Sequence, residues 1–90
     1  MLKTETLEFI RTCAREFDVK AVWLFGSGLG DEAQARDIDL AVEGLDAKRF
    51  YEFYGRLFFS LAKPVDLVDL SEDLPIVPLI REGGTIIYER

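Results

Sequence analysis

The sequence predicts an α/β (α+β) fold: a small mixed sheet of three to four strands flanked by helices. Three observations predict it. Apolar residues recur at helical spacing in two segments. Two short strand-like runs between them are unbroken or cleanly alternating in hydrophobicity. Helical and extended segments also alternate along the chain with short connections, in the order αβαβαβαβ.

The first helix begins at Thr4 or Thr6 as cap and runs to about Phe17, with Leu7, Ile10, Ala14 and Phe17 on one stripe. Cys13 falls on its apolar side, beside Phe9, Ile10 and Phe17, and reads as a buried structural thiol. Residues 20–25 form an apolar run cut off by Gly26, the signature of a central strand covered on both faces. Gly26-Ser27-Gly28-Leu29-Gly30 is a turn leading into a short helix. In Asp37-Ile38-Asp39-Leu40-Ala41-Val42-Glu43, Ile38, Leu40 and Val42 take one face, and Asp37, Asp39 and Ala41 the other.

Residues 46–61 are expected to form the longest helix, with Phe50, Phe53, Tyr54, Leu57, Phe58 and Leu61 on a core stripe. Phe59 lies opposite, among Lys48, Glu52 and Arg56; it is either an ordinary exposed aromatic or an interface residue. A third strand covers 65–70 after Pro64. A short helix follows, with Asp73 as N-cap, Pro75 in its first turn and Gly83-Gly84 closing it. Residues 85–88 finish as a strand, where Tyr88 packs as a terminal aromatic. The 90 residues are expected to make one domain, spanning 1–90.

Composition narrows the chemistry. The chain is 49% hydrophobic and 31% charged, as in a folded domain, and carries a net charge of −6. That charge repels a phosphate backbone, so no nucleic acid is expected as the main partner. With no histidine, the usual general base, the usual zinc ligand and every Ser-His or Cys-His pair are excluded. Cys13 is the one cysteine, so no internal disulfide forms. The N-terminus has no apolar signal core and no run approaches a membrane span, so a cytoplasmic protein with no membrane partner is expected.

The chemistry then falls to carboxylates. Asp37 and Asp39, at i and i+2 of a strand, point the same way. Two such charges about 5 Å apart repel by roughly 3 kcal/mol at an effective dielectric near 20. A cation or a shared proton relieves that repulsion. Oxygen donors without His or Cys suit Mg²⁺ or Mn²⁺. Asp66 sits inside a strand among Val65, Leu67 and Val68 and calls for a cation or a catalytic role; Asp69, on the opposite face, is assigned to structure. Gly26-Ser27 ends an apolar strand where a helix begins, a place where backbone N–H groups and a hydroxyl can cradle phosphate.

Taken jointly, Gly-Ser, nine residues, Asp-Ile-Asp, then Val-Asp-Leu-Val and the Arg-Glu-Gly-Gly-Thr-Ile-Ile-Tyr-Glu-Arg ending resemble the DNA polymerase beta-like nucleotidyltransferase superfamily. More closely, they resemble its minimal nucleotidyltransferases (MNT proteins), over nearly the whole chain. The resemblance implies the polymerase beta-like nucleotidyltransferase fold. Gly26, Ser27 and Gly28 would hold the triphosphate. Asp37 and Asp39 would bind one or two Mg²⁺, and Asp66 would complete the metal site and help deprotonate the acceptor hydroxyl. Family members commonly carry an Arg soon after Gly-Ser; here the loop has no basic residue before Arg36, which becomes the candidate phosphate ligand. The implied activity is transfer of a nucleoside monophosphate, AMP from ATP, to a hydroxyl. The implied partner is a HEPN-type toxin, with a tyrosine as acceptor and the MNT protein as antitoxin in a hetero-oligomer. The alternative is an antitoxin that neutralises its partner by contact alone.

Overall fold

The computed structural model describes residues 2–26 and 36–90. Helix α1 (Thr4–Glu16) leads into strand β1 (Ala21–Phe25) and then β2 (Ile38–Glu43). A 3₁₀ turn (Ala47–Arg49) opens α2 (Phe50–Ser60); β3 (Val65–Asp69), α3 (Ile76–Gly83) and β4 (Thr85–Glu89) complete the chain. The sheet is ordered β3-β2-β1-β4. β1 runs antiparallel to both β2 and β4, and β2 runs parallel to β3, so the sheet is mixed as expected. The short helix expected after Gly30 lies outside the described residues.

The two faces of the sheet follow from the period of two in its central strands. Val22 and Leu24 of β1, with Ile38, Leu40 and Val42 of β2, pack into one cluster with Ile10, Cys13, Ala14 and Phe17 of α1 and Phe53 and Leu57 of α2. Phe17 and Phe53 meet edge to face at 5.1 Å between ring centroids. The alternate residues Trp23, Phe25 and Ala41 turn to the other face, beneath Val77 and Ile80 of α3. β1 is therefore covered on both sides, which is why its sequence is apolar without a break. Ala41 is fully buried, so the face it shares with Asp39 is roofed at one end by α3.

Local signals were less exact at element ends. Neither Thr4 nor Thr6 caps α1: the cap is Lys3, with no side-chain bond to the helix. Asp73 does not cap α3, whose N-cap is Pro75 at φ −57; the proline ring already holds the helical φ and has no N–H to satisfy. Asp46 does act as a cap, its carboxylate accepting from the Lys48 N–H at 3.0 Å. Phe58 is 47% exposed rather than part of the core. α2 packs over α1 and β3, and β3 is the sheet's edge, so the margin of the helical stripe overhangs. Phe58 rests instead on the rings of Tyr54 and Phe59.

Candidate functional site

The carboxylates gather by register. β2 enters the sheet at Ile38, so Asp39 is its second residue and stands opposite Phe25, the last residue of β1. β3 lies on the other side of β2 in parallel, with Asp39 paired to Asp66. Residues paired across a ladder point to the same face, with strands about 4.8 Å apart. Asp39 and Asp66 are therefore lateral neighbours on the α3 face, at the end of the sheet where β1 stops. Asp37 lies two residues before Asp39, just outside the strand. Asp37 and Asp39 are half-buried and Asp66 is exposed, so the group opens to solvent at its Asp66 side.

Gly26 follows Phe25 directly and has φ +65, in the left-handed region that favours glycine. A Cβ added there would run into Oδ2 of Asp39. The turn that starts the Gly-Ser loop thus lies against the carboxylate with no room for a side chain between them. Arg36 is exposed and adjoins Asp37 in the chain. Ser27 and Gly28 lie outside the described residues. Asp69 is on the opposite face and buried; its Oδ1 accepts from the N–H and hydroxyl of Ser71, at 2.9 and 2.8 Å, and fixes the turn after β3.

As a metal-binding set these residues supply hard oxygen donors only, which fits Mg²⁺. The strands bring Asp39 and Asp66 side by side. Among the described residues, however, no three acidic, His or Cys side chains converge on one point. A nucleotide's phosphate oxygens would have to supply further donors, as is usual for Mg²⁺ held by one or two carboxylates.

The sequence reading missed one part of the site. A cavity of about 250 Å³ lies between α3 and the end of β1, lined by Phe25, Gly26, Ile76, Leu79, Ile80, Gly83 and Gly84. Its signal was present in the chain: Ile76, Leu79, Ile80 and Gly83 follow i, i+3, i+4, i+7 along α3. The sheet buries Ile80 but leaves Leu79 66% exposed and Ile76 38% exposed.

Comparison with known proteins identifies the family and the fold. The sequence profile of the family described as Polymerase beta, Nucleotidyltransferase matches residues 8–90. A crystal structure of a toxin–antitoxin complex with AMP-PNP aligns with a TM-score of 0.72 and 26% identity, over 93% of this chain and 73% of that one. The MntA–HepT toxin–antitoxin complex aligns with a TM-score of 0.74 and 23% identity, over 98% and 74% of the respective chains. A complex of the tri-AMPylated Shewanella oneidensis HEPN toxin with its MNT antitoxin aligns with a TM-score of 0.71 and 25% identity, over 99% and 74%. No curated protein sequence matches the chain significantly. With a profile match over nearly its whole length and the carboxylate-bearing strands in place, the chain belongs to the polymerase beta nucleotidyltransferase family.

Proposed function

We propose that residues 1–90 act as one Mg²⁺-dependent nucleotidyltransferase unit, an MNT antitoxin of the cytoplasm that moves AMP from ATP to a tyrosine hydroxyl of a HEPN-type toxin partner. The observation that carries the reading is the pairing of Asp39 with Asp66 across β2 and β3, directly beside Gly26. Support comes from two of the structural relatives, one holding AMP-PNP and one whose HEPN toxin is tri-AMPylated.

Each residue has a role in that reaction. The backbone of Gly26 and Gly28 and the hydroxyl of Ser27 cradle the triphosphate, and Arg36 reaches its phosphates from the far end of the loop. Asp37, Asp39 and Asp66 would hold one or two Mg²⁺, with phosphate oxygens of the nucleotide as further donors. When bound, the metal neutralises charge on the phosphates and on the leaving pyrophosphate. Asp66, the carboxylate open to solvent, receives the proton of the acceptor hydroxyl. The hydroxyl oxygen then bonds to the α-phosphorus, the bond from that phosphorus to the bridging oxygen breaks, and pyrophosphate leaves. The AMPylated toxin of one structural relative and a site open on one side support a protein acceptor, and the net charge of −6 disfavours a polynucleotide one.

A second reading has its own observation. Phe59 is 86% exposed and Tyr51 82% exposed on α2, a surface suited to neutralising a partner by contact alone. Asp39→Asn separates the two. It should leave the fold intact and lower AMP transfer by about 100-fold or more, the scale of losing one charge-stabilising group. Toxin neutralisation assayed in the same variant should fall with transfer. Neutralisation that persists in full without transfer would favour the contact antitoxin.

A further inference from the structure

β3 is an edge strand, and half of its backbone faces away from the sheet. Pro64 C=O accepts from Ile38 N–H at 2.8 Å, and Leu70 N–H donates to Val42 C=O at 2.9 Å. In a parallel ladder every second residue turns both its N–H and its C=O to the neighbouring strand. These two bonds fix the parity: Asp66 and Val68 bond to β2, while Val65, Leu67 and Asp69 direct theirs outward. Val65 is buried, and the outward Asp69 C=O is taken by Glu72 N–H at 3.1 Å. Among the described residues this leaves half-buried Leu67 as the open position of the edge, and no described residue bonds to its outward N–H or C=O. The register against β2 is unbroken and β3 contains no proline, so two of the usual obstacles to strand addition are missing.

An aromatic shelf lies along the same edge. α1 packs towards β4 and α2 over β3. Arg56 pairs with Glu16 of α1 and Arg49 stacks over Phe17, so that side of α2 faces α1. At about 100° per residue Phe58 lies opposite Arg49, on the side of α2 that projects past β3. Phe58 is 47% exposed, and its ring meets Tyr54 at 5.9 Å. We propose that a short extended segment of the acceptor protein adds to β3 at Leu67, an inference that rests on the transfer to a protein hydroxyl given above. The segment's residue level with Leu67 exchanges both main-chain bonds with it and rests an apolar side chain on the Phe58 shelf. Its neighbour level with Asp66 points to the other face and carries the hydroxyl. Adjacent strands are about 4.8 Å apart, so Asp39, Asp66 and the acceptor residue make one lateral row. A second copy of this chain fits poorly. Antiparallel pairing of two β3 edges would set both Asp66 carboxylates on one face, in chains of −6 each.

Hydrogen exchange of single amides, followed by NMR, reads the edge directly. Wild-type protein without ATP is compared free and with the purified HEPN-type partner in excess. In the free protein Leu67 N–H should exchange faster than Asp66 and Val68 N–H, which the ladder protects. With the partner bound, Leu67 N–H should slow by about tenfold or more. Unchanged exchange at Leu67, with binding evident from shifts elsewhere in the spectrum, would overturn the strand addition and leave the partner reading standing. Protection that grows with the concentration of the free chain alone would also overturn it, giving the edge to a second copy. Failure of the wild type to bind the partner would overturn the partner reading, and this inference with it. Phe58→Ser, at a position already half exposed, tests the shelf. It should raise the KM for the partner about tenfold, the scale of roughly 50 Å² of lost apolar burial, while ATP affinity stays the same. An unchanged KM, or a loss confined to kcat, would remove the shelf from the docking site and overturn the proposal in this form.

Discussion

Gly26 is held to glycine by two separate demands. Its φ of +65 costs an L-residue roughly 1–2 kcal/mol, and its Cα faces Asp39 with no space for a methyl group. Gly26→Ala should lower the melting temperature by several degrees, since 1 kcal/mol is worth about 4–8 °C in a domain of this size. The displaced Asp39 should at the same time weaken ATP binding, so thermal melts and titration are measured together; a melt shift with unaltered ATP affinity would separate the turn from the site. Cys13 shows the opposite kind of restraint. It is 1% exposed, and burial pushes its thiol above the ordinary 9.0, with the Arg56 charge opposing and Glu16 adding to the rise. The sign leaves less thiolate at any given pH than a free cysteine has. Native Cys13 should therefore resist a thiol reagent at pH 8 and react only as fast as the protein unfolds, which modification rates measured across a urea series will test.

At the scale of elements, α2 shows what helical periodicity conveys. Phe53 and Leu57 are fully buried and Phe59 faces solvent, as the sequence indicates. Phe53→Ala should cost about 3–5 kcal/mol. Against a total near 5–15 kcal/mol for a natural domain, that is enough to collapse the urea midpoint. Phe59→Ser should change stability by no more than about 0.5 kcal/mol, and equilibrium unfolding of the two variants side by side tests the contrast. Phe58 marks the limit of this reasoning. Its place on the helical wheel was legible, but its exposure depends on where the sheet ends, and that lies on another element. The caps failed for a related reason: Thr4, Thr6 and Asp73 are competent capping types, yet Lys3 and Pro75 occupy the positions where the helices start.

For the whole molecule, the decisive fact is the parallel pairing between β2 and β3. It needs the α2 crossover between them, and it carries Asp66 across 26 intervening residues to stand beside Asp39. The carboxylates sit at one end of the sheet, outside both hydrophobic clusters, so a metal there would serve the ligand and not the core. Chelating divalent ions should abolish ATP binding while leaving the melting temperature of the nucleotide-free protein unchanged. With Mg²⁺ restored and ATP at 100 times its Kd, linkage adds about 2.7 kcal/mol, a rise of roughly 10 °C or more. Differential scanning of the same sample before and after chelation checks both statements. A large fall in the nucleotide-free melting temperature on chelation would instead give the metal a structural role.

The sequence by itself determined what depends on neighbours in the chain. The period of two separates Asp37 and Asp39 from Ile38, Leu40 and Val42; the period near 3.6 marks the buried stripes of α1 and α2; the unbroken apolar run announces β1 as central. These are local geometries, set by backbone dihedrals and by which side chains avoid water. Only the tertiary structure decided that Asp66 lies level with Asp39 rather than one residue out of register, that Gly26 abuts the Asp39 carboxylate, and that α3 leaves a cavity beside them. Strand register and the seating of a helix on a sheet are set by packing between segments distant in sequence, and no local pattern encodes them.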